Sequence, residues 1–153
     1  KDLPTLVEWI SSRFHARIYE DAYSPFCLIA GTNSDADIIH AYLNEYCQDV
    51  PDLTVVRNDV YARFSHRAYN KGTALVEVAR QLEVTREEVF AIGDHLNDLP
   101  MLSKEHAEKL AAPHNAIPLV KAQVLQQGGY VSPYAQGCGV ADALENFLGN
   151  RAV

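Results

Sequence analysis

The sequence predicts an α/β protein whose two parts differ in how helices and strands alternate. In residues 1–66, helical and extended apolar patterns follow one another in the order α-β-β-α-β-β. The unit α-β-β thus occurs twice in this part. From Lys71 onward, short apolar strands alternate strictly with helices, which is typical of a parallel sheet with crossover helices. We therefore assign residues 1–66 to one α/β segment and residues 67–153 to a second part built on a parallel sheet.

The elements of the first part follow from apolar periodicity and from turn residues. Pro4 suits the first turn of a helix, where a missing N–H costs least. Ser34-Asp35 ahead of an apolar stripe is typical of a capped helix start, and Asn58-Asp59 is a hairpin turn. We expect turn residues at Tyr23-Ser24-Pro25. The predicted spans are helices at about 4–14 and 35–46, and strands at about 16–20, 26–30, 53–57 and 61–66.

The second part contains three predicted strands, each followed by a helix. Asn70 is a suitable N-cap for a helix that begins near Lys71, and Thr85 to Glu88 has the pattern of a capped turn. Residues 113–116 are expected to form a loop. The predicted spans are helices at about 71–83, 96–104, 118–126 and 139–148, and strands at about 89–92, 108–112 and 129–132.

Composition and charge narrow the class of protein. The chain has 153 residues, a hydrophobic fraction of 48% and a charged fraction of 22%, as in globular proteins. Its net charge of −7 and the lack of a basic run argue against nucleic acid as a partner, and no apolar run is long enough to cross a membrane. Cys27, Cys47 and Cys138 are widely spaced and read as reduced thiols of a cytoplasmic protein. The first residue is Lys1 rather than methionine, so we expect a fragment or a processed chain.

Polar residues cluster where the predicted strand at 89–92 ends. Gly93 breaks the apolar run, and Asp94, Asn97 and Asp98 follow before the apolar pattern resumes. In doubly wound α/β proteins, ligands bind where a strand ends and a helix begins. Two carboxylates four residues apart can also share one hard cation. The alternative is an ordinary helix start, with Asp94 in a turn and Asn97 or Asp98 as the N-cap.

Lys71 occupies an unfavourable position for a lysine. A cation in the first turn of a helix faces the positive end of the helix dipole, and Gly72 beside it weakens the helix further. Because neither residue favours the helix, the ammonium group is a candidate functional group. The alternative is an ordinary solvated lysine.

These two segments together resemble the haloacid dehalogenase superfamily of phosphohydrolases, and most closely its Cof-like, sugar-phosphatase-like branch. Residues Lys71-Gly72-Thr73-Ala74-Leu75 match the Lys-Gly-x-Ala-Leu setting that opens one helix in that branch. Residues Gly93-Asp94-His95-Leu96-Asn97-Asp98 match its Gly-Asp-x-x-Asn-Asp motif after the next strand. The order and the separation of the two motifs also fit.

The resemblance implies a fold, an activity and roles for individual residues. Residues 67–153 would form the C-terminal half of the hydrolase core, with a partial Rossmann-like parallel sheet, and residues 1–66 would form the α/β cap segment. The activity implied is Mg²⁺-dependent hydrolysis of a small phosphorylated metabolite, such as a sugar phosphate. Asp94 would be a Mg²⁺ ligand and Asp98 would support the metal site. Lys71 would neutralise the phosphoryl oxygens, and Asn97 and Asn115 would lie near the phosphate.

The nucleophile motif of that family is missing. The family places Asp-x-Asp directly after an N-terminal hydrophobic strand, whereas the single Asp-x-Asp here, Asp35-Ala36-Asp37, fits a capped helix. We therefore expect the chain alone to be catalytically incomplete, with its open sheet edge filled by a second chain, a swapped copy or the rest of the protein. The alternative is a non-catalytic binding or regulatory module that keeps the fold.

The sequence leaves two alternative roles for each of several other residues. Cys27 to Asn33 also resembles the family's second motif, in which Thr32 would bind phosphate and no large cap would precede Lys71. His95 and His114 are either contacts for a ligand or solvent-facing loop histidines. The last candidates either line a cleft or form the polar face of a strand and its end: Tyr61, Arg63, His66 and Arg67.

Overall fold

A computed structural model of the protein describes residues 2–149, which divide into two compact units. The first unit runs to Tyr69 and the second begins at Asn70. None of the helices within residues 2–149 is both long and apolar enough to cross a membrane.

The first unit has the predicted order α-β-β-α-β-β, which confirms the α/β segment. Its strands form one antiparallel sheet in the order β1-β2-β4-β3. The elements are α1 (Leu3–Ser11), β1 (Ala16–Asp21), β2 (Ser24–Ala30), α2 (Asn33–Gln48), β3 (Leu53–Asn58) and β4 (Tyr61–His66).

One face of this sheet packs on both helices. The core contains Leu6 and Ile10 from α1, Ile39 and Leu43 from α2, and Phe26 from β2, all essentially inaccessible to water. Burying side chains of this size stabilises a fold by about 1.5–3 kcal/mol each. The first unit therefore has a hydrophobic core of its own.

Three predictions for the first unit are wrong in detail. The first helix ends at Ser11, and α2 begins at Asn33 because Thr32, rather than Ser34, caps it: the Thr32 hydroxyl accepts the Asp35 N–H at 3.1 Å. The predicted turn at residues 23–25 is partly strand, since β2 begins at Ser24. A proline fits at position 25 because pairing between β2 and β4 covers only residues 27–29.

The second unit is built on a three-stranded parallel sheet, as predicted. Its strands lie in the order β5-β6-β7. Its core includes Leu102, Leu110, Val120 and Val124, which are fully buried. The elements are α3 (Lys71–Leu82), a 3-10 helix at Arg86–Glu88, β5 (Phe90–Ile92), a 3-10 helix at Leu96–Asp98, β6 (Lys109–Ala112), α4 (Pro118–Gln126), β7 (Tyr130–Val131) and α5 (Gln136–Leu148).

The predicted helix at residues 96–104 is wrong. Only Leu96–Asp98 is helical, as one 3-10 turn, and turns follow. The Asp98 side chain caps this turn by accepting the amides of Asp94 and His95, but Pro100 has no N–H to donate to a carbonyl one turn back, so the helix does not continue. The segment therefore tightens into turns instead of extending. The last helix is also longer than predicted, beginning at Gln136 rather than Gly139.

Candidate active site

A cavity of about 240 Å³ opens where β5 ends. Three of the predicted site residues, Lys71, Asp94 and Asp98, line it, although they come from two segments of the chain. The complete lining is Lys71, Ile92, Gly93, Asp94, Asp98, Met101, Pro113, Gln136 and Val140. The parallel sheet thus brings the two sequence motifs together at one edge, as expected for a ligand site in this class of fold.

Lys71 stands at the start of α3, where a capping box fixes the backbone. The Asn70 side chain accepts the N–H groups of Gly72 and Thr73 at 2.9 and 3.0 Å, and the Thr73 hydroxyl accepts the Asn70 N–H. The Lys71 ammonium group donates to Oδ1 of Asp98. Its side chain is 48% exposed, so the ammonium group can also be reached from the cavity.

Asp98 is the buried carboxylate of the site. Its Oδ2 accepts the N–H groups of Asp94 at 2.9 Å and His95 at 3.2 Å, while its Oδ1 contacts Lys71. Burial acts to raise the pKa of Asp98, but the bonds from Lys71 and the two amides outweigh it and hold that pKa below its usual value. Asp98 is therefore ionised and joins the start of α3 to the loop after β5.

Asp94 is the exposed carboxylate of the site. Its Oδ2 lies 3.5 Å from Nδ2 of Asn115, and its carbonyl oxygen accepts the N–H of Ile117 at 3.0 Å. The Asn115 Oδ1 atom in turn accepts the N–H of Gln136 at 2.7 Å. The loop after β6 thus supports Asp94 from the side, and Asn115 contacts Asp94 rather than lining the cavity.

Asn97 is placed differently from the other predicted residues. It does not line the cavity, and its Oδ1 atom is buried with no hydrogen-bond partner among residues 2–149. A buried, unpaired acceptor costs about 1–3 kcal/mol. The predicted contact of Asn97 with phosphate stays a prediction.

The carboxylates of the cavity differ in their ability to hold a cation. Both oxygens of Asp98 already accept hydrogen bonds, whereas Asp94 is exposed to the cavity. Within residues 2–149, no group of three or more His, Cys, Asp or Glu side chains is placed to hold a metal ion. Mg²⁺ is commonly held by one or two carboxylates together with water and substrate phosphate. The described residues fit that pattern through Asp94.

The single Asp-x-Asp sequence lies in the first unit, on α2. Asp37 pairs with Arg57, their closest atoms being 2.5 Å apart, and Asp35 is half-buried in the first turn. Thr32 caps the same helix, and the strand before it lies within an antiparallel sheet. The alternative in which Thr32 ends a core strand and binds phosphate is therefore wrong.

The candidates near the end of the first unit have local contacts. The Tyr61 hydroxyl donates to Sγ of Cys27 at 3.7 Å, and burial together with this contact raises the pKa of Tyr61 to about 12. Arg63 lies opposite Cys27 in the strand register, and Arg67 donates to a backbone carbonyl at 3.3 Å. The His66 ring packs on a tyrosine ring at 5.1 Å. A role for these residues in ligand binding stays a prediction.

Sequence reasoning missed the apolar wall of the cavity and Gln136. The sequence analysis gave no role in a site to Met101, Pro113 or Val140, because their approach depends on how the strands and helices pack. Gln136 has a φ of 52°, which is rare for a residue other than glycine. No sequence pattern marks such a position when glycine or asparagine is absent from it.

The chain is similar to known phosphatases in sequence and in structure. A phosphoglycolate phosphatase from Methanothermobacter thermautotrophicus is 30% identical over 114 residues, which cover 74% of this chain and 47% of the relative. The chain therefore spans about half the length of that relative. A haloacid dehalogenase-like hydrolase from B. subtilis superposes with a TM-score of 0.63 and 30% identity, covering 80% of this chain and 40% of the other.

A more distant structure extends the likeness in fold over both units. The sucrose-phosphatase of Synechocystis superposes with a TM-score of 0.64 at 15% identity, covering 94% of this chain and 62% of the other. A model of the haloacid dehalogenase-like hydrolases matches residues 11–144, which include most of both units. The chain belongs to the family of haloacid dehalogenase-like hydrolases.

Proposed function

We propose that this chain is the cap segment and C-terminal core portion of a Mg²⁺-dependent phosphatase that hydrolyses phosphomonoesters. One observation carries the proposal: the Lys71 ammonium group and the Asp94 carboxylate line the same cavity, with Asp98 bridging their two segments. Phosphoryl transfer depends mainly on positioning and on neutralising the charge of the phosphoryl oxygens. A cation and an exposed carboxylate at one cavity suit that task.

Each residue has a separate role in this proposal. The Lys71 ammonium group binds the phosphoryl oxygens, and Asp98 holds it in place. Asp94 provides a carboxylate ligand for Mg²⁺, supported by Asn115. When bound, Mg²⁺ stabilises charge on the phosphoryl group. Asn97 remains the predicted phosphate contact, and it would act through its amide nitrogen.

The proposed substrate is a small phosphorylated metabolite such as a sugar phosphate. Two relatives support this choice, since one is named phosphoglycolate phosphatase and another is a sucrose-phosphatase. A cavity of about 240 Å³ is also smaller than the usual site for a drug-sized ligand. The unpaired thiols of Cys27, Cys47 and Cys138 support a cytoplasmic location.

The proposal includes a part of the core that this sequence does not contain. The one Asp-x-Asp is used in α2, so the attacking aspartate would come from elsewhere. Within residues 2–149, β5 pairs on one side only, and α3 exposes Val76, Val78 and Leu82. An open strand edge and an exposed apolar helix face are surfaces that another segment can cover. The remainder of the protein, a second chain or a swapped copy would complete the sheet there.

A non-catalytic binding module is the second candidate, and the absent nucleophile is the observation that favours it. Both candidates predict binding at the cavity, and they differ in turnover. We would therefore first measure binding of inorganic phosphate in the presence of Mg²⁺ by calorimetry, for the chain and for Lys71→Met. Arg80→Met is the matched control, because it removes one cation from the exposed face of the same helix.

Loss of phosphate binding in Lys71→Met but not in Arg80→Met is the expected result. Equal binding by all three proteins would refute the proposed site. Hydrolysis of an aryl phosphate by the chain and by Asp94→Asn then separates the candidates. We expect no turnover from either protein alone. Turnover that appears when the missing core segment is supplied, and that needs Asp94, would identify the enzyme. Its absence in that complete protein would identify the module.

A further inference from the structure

Gln136 has a backbone conformation that its residue type does not favour. Its φ is 52°, in the left-handed region, where a residue with a Cβ is strained by about 1–2 kcal/mol. The other such residues within 2–149 are two aspartates in turns, Asp52 and Asp59, and Glu83 at the C-terminal end of α3. Turns and helix C-termini commonly contain this conformation. Gln136 instead opens a helix and lines the candidate active site.

The strained conformation aims the Gln136 N–H at one side chain. That N–H donates to Oδ1 of Asn115 at 2.7 Å, a short and well-formed bond. A backbone N–H can only donate, so it must face the oxygen of the Asn115 amide. Because the amide group is planar, its Nδ2 then faces the other way, toward Oδ2 of Asp94 at 3.5 Å. The backbone at Gln136 therefore sets the orientation of the group next to Asp94.

We infer that Gln136 is a positioning residue for Asp94, acting through its backbone N–H and the Asn115 side chain. The inference rests on the proposed function, in which Asp94 holds Mg²⁺. The side-chain amide of Asn115 donates to Oδ2 of Asp94, and no described residue donates to Oδ1. The contact leaves one carboxylate oxygen for the cation and limits rotation of the side chain. Groups that orient a metal ligand in this way commonly change metal affinity by about 10- to 100-fold when they are lost.

The test uses two substitutions at position 136 that both remove the side-chain amide of Gln136 and have opposite effects on the backbone. Gln136→Gly keeps the N–H and accepts a positive φ without strain, whereas Gln136→Val strongly disfavours that φ. Affinity for Mn²⁺, as a stand-in for Mg²⁺, is read from the electron paramagnetic resonance signal of the free ion. We expect about tenfold weaker binding for Gln136→Val and unchanged binding for Gln136→Gly. Equal weakening in both would mean that the Gln136 side chain acts instead, and no change in either would also overturn the inference.

A third variant tests the inference even if Gln136→Val folds poorly. Asn115→Ala removes the intermediate group, and we expect it to weaken Mn²⁺ binding as much as Gln136→Val, with no further loss in the double variant. Additive losses would overturn the inference. If the unchanged chain binds no Mn²⁺, the proposed function fails. The inference is then tested in the absence of metal, by the NMR signals of the Asn115 side chain. The side-chain amide resonances of Asn115 must then shift in Gln136→Val and stay in place in Gln136→Gly; any other pattern contradicts it.

Discussion

The ammonium group of Lys71 contacts the carboxylate of Asp98, which is buried and accepts two backbone N–H groups besides. A cation at the first turn of a helix opposes the helix dipole, by a few tenths of a kcal/mol. A contact with a buried carboxylate offsets that cost. It also joins α3 to the loop after β5, so that two of the segments that carry the site act as one.

Replacing Asp98 with alanine should destabilise the second unit by about 2–3 kcal/mol. The substitution leaves two partly buried N–H groups without this acceptor and Lys71 without the Asp98 carboxylate. Urea denaturation followed by far-UV circular dichroism measures the loss. Fluorescence of Trp9, the single tryptophan, follows the first unit and serves as the internal comparison. A loss below about 0.5 kcal/mol would mean that the buried carboxylate contributes little.

Asp98 should also make stability depend on pH in the acid range. Its pKa is lowered in the folded chain, so its contribution is complete above pH about 4, the usual pKa of aspartate, and is lost as the pH falls through the lower folded pKa. The stability difference between the unchanged chain and Asp98→Asn should therefore shrink as the pH falls below about 4. A difference that is constant over this range would contradict the assignment.

Glu77 provides a comparison for the pH experiment. Hydrogen bonds from Arg80 and Gln81 lower its pKa to about 2, but its carboxylate is at the exposed surface of α3. Water and salt screen an exposed pair, so Glu77→Gln should change the pH dependence less than Asp98→Asn does. Added salt should reduce the effect of Glu77 further and leave that of Asp98 nearly intact.

Periodicity and capping residues predicted most elements, and the failures have physical causes. The helix starting at Lys71 was predicted because Asn70 and the apolar stripe act locally. The helix predicted at residues 96–104 stops after one 3-10 turn because Pro100 has no N–H to continue it, a loss that the apolar pattern does not contain. The hydrogen bond from the Gln136 N–H to Asn115 joins two residues that are 21 positions apart in the sequence. Local signals thus predicted the elements and the two motifs, while contacts between loops stayed out of reach.

Gly72 is a second case in which local sequence signals do not contain the deciding contact. From sequence it is a residue that weakens a helix. In the structure, a Cβ at this position would collide with the backbone of Pro100, lying 2.8 Å from its carbonyl carbon. The glycine therefore permits α3 to approach the turn that follows Asp98. The requirement is one of space, which a propensity scale does not contain.

Gly72→Ala should consequently lower the free energy of unfolding by about 1–3 kcal/mol, although alanine favours helices. Gly137→Ala is the matched control, because Gly137 is also helical and a Cβ there meets nothing within 4 Å. That substitution should be neutral or stabilise by up to about 1 kcal/mol. The same unfolding measurement applies to both variants. Stabilisation by Gly72→Ala would show that α3 does not need this close approach.

The pairing of Asp37 with Arg57 decides how the Asp-x-Asp sequence is used. The Arg57 side chain is only 6% exposed, while Asp37 is 70% exposed. Arg57 also donates to the carbonyl of Asp59 at 2.8 Å, so it ties α2 to the turn between β3 and β4. Among residues 2–149 the Asp35 side chain has no such ion pair, and it lies in the first turn of α2, where its charge suits the helix dipole. We therefore expect the two aspartates to behave differently, and neither to act at the cavity.

Asp37→Ala should destabilise the first unit by about 1–2 kcal/mol, because the buried guanidinium of Arg57 loses its carboxylate partner. The loss is moderate because Asp37 itself is exposed. Asp35→Ala should cost about 0.3–0.5 kcal/mol, the usual value for a charge at a helix start. Trp9 fluorescence during urea denaturation measures both, since Trp9 packs in the core of that unit. Neither substitution should change Mn²⁺ affinity. A loss of Mn²⁺ or phosphate binding in Asp35→Ala alone would instead make Asp35 part of the active site and contradict a purely structural role for this sequence.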